Sequence, residues 1–350
     1  MRVSIYRATR ATAGFALAAI LGAASFAMAE APGFSEATGS QDKKPNAAQP
    51  SEGERQAAMK IASAADFQAA LQAASEFVKK YPKSSLRPEI TRRLVAKASS
   101  APDSAQQITM LESVATTFKE PADTEIITPV LLETYLKADK VDDAFRVAAT
   151  TLEKNPNDVV TLTEMAIVGF EQAKRNNTKF VQQSAQYAAK AVELIEGDKK
   201  PATLDDTQWG EYKTKWLAQL YQGQGVVSLM TRNPVEARAK LDKAAALNPT
   251  DPVTFMIMGS LVQDEYAALA QQVKGMLPGK AQDEALKKAL DKMDQVIDLY
   301  ARAVGLAEGN ANFQKLHDEL LADLKSYYSY RHNNSTDGLQ QLIDKYKKPQ

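Results

Sequence analysis

Imidazole is the side chain that most often serves as general base, nucleophile activator or metal ligand near neutral pH. This 350-residue chain holds two, His317 and His332. Fifteen residues apart on one helix, they cannot form the i, i+4 pair that grips a metal, and no His-Glu-x-x-His run occurs. They read as solvated or capping side chains. The chain has no cysteine, which removes disulfides, thiolate metal sites, a cysteine nucleophile and a lipid-modified cysteine. Gly223-Gln224-Gly225 runs into Val226 and Val227 and is no phosphate loop. The acidic pairs Asp142-Asp143 and Asp205-Asp206 sit at turns or helix starts, where the helix dipole favours carboxylates. His317-Asp318-Glu319-Leu320 copies an endoplasmic-reticulum retention signal but is internal. Asn176-Asn177-Thr178 and Asn333-Asn334-Ser335 match a glycosylation pattern that is common by chance. Tyr327, Tyr328 and Tyr330 could stack on a sugar or a peptide, although aromatics at helical spacing usually belong to a core or a cap. Neighbouring residues assemble no nucleophile, base and orienting group, so the expectation is a non-enzyme with no metal and no cofactor.

The elements that position these groups are helical. Ala, Leu, Lys, Gln, Glu and Asp dominate the composition, with little clustering of β-branched or aromatic residues, and no sheet is expected. Apolar periodicity begins near Glu54 and persists to the end. Ala70, Ala74, Phe77, Val78 and Tyr81 line a helix over 66–82 that stops at Tyr81-Pro82. A hairpin follows, with Ile90, Leu94, Val95 and Ala98 on one helix and Ile108, Leu111, Val114 and Phe118 on the other, divided at Ala101-Pro102-Asp103. Later pairs are marked by Leu162, Met165 and Ala166 against Tyr187, Ala188, Ala191 and Ile195. The last runs from Phe313 through Leu316, Leu320 and Leu324 to a closing helix over 339–346.

The stretch 221–259 organises the rest. Tyr221, Gly225, Ala237, Leu241, Ala244 and Pro249 are followed by Phe255 and Gly259, which resume the Tyr221 and Gly225 positions 34 residues later. Gly225 and Ala237 let two helices approach closely while Tyr221, Leu229 and Leu241 fill the space between them. Asn248-Pro249 stops the second helix and Pro252 opens the next. A 34-residue helix–turn–helix period with these residue types resembles the tetratricopeptide repeat family. Ser228 departs from it where the family has an aromatic. Leu131, Tyr135, Ala144 and Pro156 make a second copy, with Asp139 starting the turn, and Lys79-Lys80-Tyr81-Pro82-Lys83-Ser84 looks like repeats of bacterial envelope proteins of this class. The resemblance implies an all-α, right-handed α-solenoid of about seven hairpins over 54–350.

The sixth hairpin is expanded by some 25 residues. Leu286, Leu290, Met293, Ile297, Tyr300 and Val304 recur as a heptad seam, Phe255, Val262, Leu269 and Val273 supply a facing stripe, and Pro278-Gly279 makes a turn. An antiparallel helical arm over 266–290 is expected, either projecting or folded back as packing.

At the other end, Arg2, Arg7 and Arg10 precede an apolar run from Ala13 to Ala27 and the small-x-small site Ala27-Met28-Ala29, the pattern of a secretory signal cleaved after Ala29. The 30–53 stretch, rich in Pro, Gly, Ser, Gln and Asn, reads as a disordered linker. Removing 1–29 leaves 40 basic against 43 acidic residues, which gives no electrostatic reason to bind nucleic acid or anionic lipid. A periplasmic or secreted protein is expected, with no stable membrane insertion after cleavage.

Tetratricopeptide proteins bind extended peptides or partner helices along a concave face built from first helices. Carried onto this chain, that face holds Glu133 and Lys137 in the third hairpin, Gln219, Gln222, Val226 and Met230 in the fifth, and Met256, Ser260 and Gln263 in the sixth. The resemblance therefore implies an exported scaffold or assembly factor with a protein partner. The other reading is a solute- or glycan-binding protein with an aromatic pocket near Trp209, Trp216 and the Tyr327 cluster.

Overall fold

The structure, a computed structural model, describes residues 49–201 and 204–347. Among the described residues it is all-helical, with fourteen α-helices that pack largely in adjacent pairs, one short 3-10 turn and no strand. The expected signal, and the expected linker up to residue 48, lie outside the described residues. The chain divides into two compact units that meet at residues 161 and 162.

The N-terminal unit holds α1 (Glu52–Ala62), α2 (Phe67–Lys80), α3 (Arg87–Ser99), α4 (Ser104–Thr117), α5 (Pro121–Lys137) and α6 (Val141–Lys154). Helix α1 begins two residues before the apolar periodicity. Ser51 and Glu54 form a reciprocal capping box, with Ser51 N donating to Glu54 Oε2 at 2.7 Å, and this takes Glu52 and Gly53 out of the expected linker. Asp66 and Asp103 cap α2 and α4 through the backbone amides of Ala69 and Gln106. Helices also touch the next but one: α1 meets α3, α2 meets α4 and α3 meets α5. Ala70, Ala74, Leu94, Ala98, Leu111, Val114 and Phe118 are buried in these interfaces.

One buried feature of this unit joins residues far apart in sequence. Arg87 opens α3 and Asp123 sits in the first turn of α5, with exposures of 7% and 1%. Arg87 Nε donates to Asp123 Oδ2 at 2.7 Å, Thr91 Oγ1 to Oδ1 at 3.2 Å and the Glu120 backbone amide to Oδ2 at 3.3 Å. A second guanidinium nitrogen reaches the Pro82 carbonyl at 3.1 Å.

Helix α7 (Val159–Lys174) leads into the C-terminal unit. There follow α8 (Val181–Glu196), α9 (Asp206–Met230), α10 (Pro234–Leu247), α11 (Pro252–Lys274), α12 (Lys280–Ala307), α13 (Gln314–Arg331) and α14 (Leu339–Asp344). Both glycines of Gly223-Gln224-Gly225 serve packing. A Cβ on Gly225 would stand 2.8 Å from Leu241 of α10, and one on Gly223 would stand 2.0 Å from the Phe170 ring of α7. The same arrangement returns in the next pair, where a Cβ on Gly259 would meet Tyr300 of α12 at 2.3 Å. The Lys243 ammonium lies 4.6 Å from the Tyr221 ring centroid, and the Arg302 guanidinium lies 3.8 Å from that of Phe255. Leu241 and Lys243 stand in α10 as Tyr300 and Arg302 stand in α12.

The turns repeat as well. Asp139 after α5, Asn176 after α7 and Arg232 after α9 adopt left-handed φ of 55°, 65° and 59°. Each is followed by an amide that reaches back five residues: Lys140 to the Tyr135 carbonyl, Asn177 to Gln172 and Asn233 to Ser228.

The expected arm is the distal part of the α11–α12 pair. Met293, Ile297, Tyr300 and Val304 of its seam are buried, as are Phe255, Val262 and Val273 opposite. Its base also packs on α13, where the Tyr266 and Tyr327 rings meet edge to face at 6.2 Å. Toward the turn the seam opens, leaving Leu286 at 37% and Leu277 at 88% exposure. The closing helix ends at Asp344 and buries Leu339 and Ile343, with α12 as its neighbour.

Candidate functional site

The residues expected on a partner-facing surface fall in both units. In the N-terminal unit, Glu133 and Lys137 form an i, i+4 ion pair at 2.6 Å on α5, half-exposed. In the C-terminal unit, Gln219 and Met230 of α9 are exposed. Gln222 is half-buried and donates to Asp251 Oδ2 at 2.6 Å and Thr254 Oγ1 at 2.8 Å, tying α9 to the start of α11. Val226 and Met256 are buried core residues, contrary to their expected place on the groove surface. Helix α9 has α8, α10 and the Phe170 ring of α7 against it, and α11 adds Met256 to the same core, so the stripe left for solvent is narrow. Ser260 and Gln263 are half-buried on α11, and Gln263 Oε1 accepts from the Tyr300 hydroxyl at 2.5 Å.

The aromatics proposed to share a pocket form separate groups. Trp209 stacks on Tyr212 at 5.5 Å, Tyr212 meets Trp216 at 6.3 Å, and the Trp209 indole N–H donates to Asp198 at 2.8 Å. Tyr327 instead meets Tyr266 and Tyr300, at 6.2 and 6.4 Å.

The histidines also separate. His332 stacks on Tyr328 at 3.9 Å at the C-terminal end of α13, a capping role. His317 lines an open cleft of about 160 Å³ with Val304, Glu308, Leu321, Gln340 and Ile343. Its Nδ1 lies 2.9 Å from Asp318 Oδ1, and Glu308 is held by Lys347 at 2.8 Å. Hydrogen bonds from His317 and Gln314 hold the Asp318 carboxyl below its usual range. The lining offers no hydroxyl, thiol or amine nucleophile. Among the described residues no group of three or more acidic or imidazole side chains is placed to hold a metal ion, and no helix is long and apolar enough to cross a membrane.

The most unusual electrostatics lie where α11, α12 and α13 meet. Tyr266, Tyr300 and Tyr327 converge from the three helices, with Asp264 on α11 and Asp323 on α13 beside them. Neither carboxylate has a hydrogen-bond or ion-pair partner among the described residues. Partial withdrawal from water raises the half-buried Asp323 above the ordinary aspartate value, with Glu319 adding to the rise, and raises Asp264 in the same direction although that residue stays exposed. Burial also pushes the Tyr266 and Tyr300 phenols up to about 12. Tyr327 rises further, from burial first and then from the charges of its neighbours. Sequence reasoning singled out Tyr300 and Tyr327 as a seam and a cluster but missed both aspartates. The i, i+4 spacing of Asp323 and Tyr327 was the one available signal.

Two outcomes follow from these shifts. A phenol whose folded pKa lies above its unfolded value of 10.0 contributes stability that is complete below pH 10 and is lost as pH climbs toward about 12. The urea midpoint of the C-terminal unit is expected to fall across that window, and to fall less in Tyr300→Phe. An aspartate whose folded pKa is raised contributes in the same direction at lower pH: its favourable term is present below the unfolded value of 3.8 and lost above the folded one. At neutral pH Asp323 therefore costs stability, and Asp323→Asn is expected to raise the melting temperature. An unchanged or lower melting temperature at pH 7 sinks that account.

No protein-family model and no curated protein matches this sequence.

Proposed function

We propose that this chain is a non-catalytic, tetratricopeptide-like scaffold that holds a protein partner in the bacterial cell envelope. The observation that carries the reading is the recurrence of one hairpin geometry: Gly225 under Leu241 with Lys243 over Tyr221, then Gly259 under Tyr300 with Arg302 over Phe255. Two aromatic, glycine and cation sets in the same relation are hard to obtain from unrelated helix pairs. The helix-to-next-but-one packing of α1 through α5 and the shared left-handed turns support a right-handed solenoid on the same grounds.

A stack of such hairpins offers its first helices to an extended ligand. On α9 that leaves Gln219 and Met230, an amide and a flexible thioether, as the exposed positions of a surface that adapts to a protein. The export reading rests on the basic, apolar and small-residue pattern of 1–29.

Photo-cross-linkable residues at Gln219 and Met230, introduced one at a time in bacterial cells, test the scaffold reading. The expected result is the same discrete protein adduct from both, absent when the probe stands at the exposed Ala239 of α10. Equal labelling from Ala239, or no adduct at either position, overturns it. The intact mass of the purified protein tests export, with a mature chain expected to begin at Glu30.

A further inference from the structure

The cleft bordered by α12, α13 and α14 is space that the packing leaves unfilled, and the elements round it are tied in place. Before α14 begins, Tyr328 Oη of α13 donates to the Asp337 carbonyl at 2.8 Å, and beyond its end Tyr346 Oη donates to Asp298 of α12 at 2.5 Å. Between these ties the backbone of α14 lies directly on Gly305, where an added Cβ would stand 2.6 Å from the Ile343 carbonyl oxygen. These contacts hold α14 from sliding inward, so the opening of about 160 Å³ is preformed, as ligand sites usually are.

The lining combines two chemistries. Val304 and Ile343, 0% and 2% exposed, and the half-buried Leu321 make it apolar on one side. His317, Glu308 and Gln340 supply polar groups, and each keeps an acceptor in reserve. His317 Nδ1 is engaged with Asp318 Oδ1 at 2.9 Å, which leaves Nε2 as the acceptor of a neutral ring. Glu308 gives Oε1 to Lys347 and keeps Oε2, and Gln340 donates through Nε2 to Asp344 and keeps Oε1. None of these three acceptors has a partner among the described residues. Charge points the same way: the Lys347 ammonium is shared by Glu308 at 2.8 Å and Asp344 at 2.7 Å, one positive charge against two negative ones. A guest that satisfies these groups donates hydrogen bonds, carries positive charge and presents an apolar body to Val304, Leu321 and Ile343. An apolar space of about 150 Å³ takes one benzene-sized group, which sets the size of that body.

We infer that this cleft binds a primary ammonium group carried on one compact apolar body, such as a single aromatic ring on a short chain. The ammonium donates to Glu308, His317 and Gln340, and the ring displaces water from the apolar side. All six lining residues belong to α12, α13, α14 or the end of α12 at Glu308, so the inference does not rest on the scaffold reading.

Calorimetric titration of the purified protein with phenethylamine at pH 8 and 150 mM salt tests it, with 2-phenylethanol as the uncharged counterpart. Phenethylamine is expected to bind with a Kd of about 1 mM, and phenylethanol about tenfold more weakly. Glu308→Gln keeps the side chain's size and removes its charge. It is expected to weaken phenethylamine about tenfold and to leave phenylethanol within about twofold, a split that a disturbed fold would not produce. Leu321→Phe fills the space and is expected to weaken both ligands about tenfold. Should Leu321→Phe fail to fold, the Glu308→Gln split decides alone. Glu211→Gln removes one exposed acid from α9 and is expected to stay within about twofold, which separates the cleft from overall charge. Equal affinity for the two ligands, undiminished amine binding in Glu308→Gln, equal weakening in Glu211→Gln, or no binding of phenethylamine at about 10 mM overturns the inference. A Phe-Gly-Gly amide distinguishes the sources of the guest. Binding that matches phenethylamine and disappears on acetylation of the amino group makes a partner's chain terminus the guest, whereas rejection of the tripeptide assigns the cleft to a free amine.

Discussion

Asp123→Ala is expected to destabilise the N-terminal unit by about 3–5 kcal/mol, because it leaves the Arg87 guanidinium buried without its counterion. Arg87 is 7% exposed and is held by two close contacts to Asp123, the Pro82 carbonyl and the Phe118 ring. None of these except the carboxylate carries negative charge, and the side chain cannot lose its proton to escape the penalty. The loss also frees the Thr91 hydroxyl and the Glu120 amide from Asp123. Asp123→Asn keeps the shape and some of the hydrogen bonds but not the charge, so its cost is smaller though still large. Replacing both partners, Arg87→Met with Asp123→Leu, is expected to recover most of the loss, since a buried pair replaced by packed apolar groups is often neutral. The chain has two units, so a single unfolding curve would mix them. Hydrogen exchange read by mass spectrometry over peptides from 87–137 isolates the effect. A double variant as unprotected as Asp123→Ala, or an Asp123→Ala as protected as the parent, contradicts the argument.

That ion pair marks one limit of what the sequence reveals. Arg87 and Asp123 are 36 residues apart, and the acid has an ordinary local explanation in the first turn of its helix, where the dipole favours it. Nothing in periodicity pairs them. The helices were legible because their cause is local: apolar spacing, the caps at Ser51, Asp66 and Asp103, and proline at Pro234 and Pro252 all act within a few residues. The close approach of Gly225 to Leu241 was legible for the same reason, since both belong to one hairpin of known period.

The candidate site was less legible, because exposure is a property of neighbours. Val226 and Met256 occupy positions that face outward in a regular hairpin stack, but α9 here is 25 residues long and is crowded on several sides. The corner of α11, α12 and α13 exists because α11 and α12 are extended and α13 packs against α12, which brings the Tyr327 ring to Tyr266 and Tyr300. A heptad pattern announces the extended pair but not where a third helix will lie.

The second large effect comes from the smallest residue. Gly259→Ala is expected to cost about 1–3 kcal/mol, the range for overpacking a full core, because the new methyl would stand 2.3 Å from Cε1 of the Tyr300 ring. The ring has little freedom to yield. Tyr300 is 2% exposed, its hydroxyl is held by Gln263 at 2.5 Å, and Tyr327 packs on it at 6.4 Å. If the clash is the cause, shortening the partner must relieve it. In a Tyr300→Leu background, itself destabilised by lost packing, Gly259→Ala is therefore expected to cost at least about 1 kcal/mol less than in the parent, a coupling measurable by a double-mutant cycle. Helix propensity argues the opposite sign for the single change, since alanine is favoured over glycine inside a helix by about 1 kcal/mol. The two contributions are separable at Gly210 of the same protein, a helical glycine with nothing within 4 Å of an added Cβ. Gly210→Ala is expected to stabilise, whereas Gly259→Ala destabilises. The same sign at both positions would mean that propensity, rather than the approach of α11 to Tyr300, governs the hairpin.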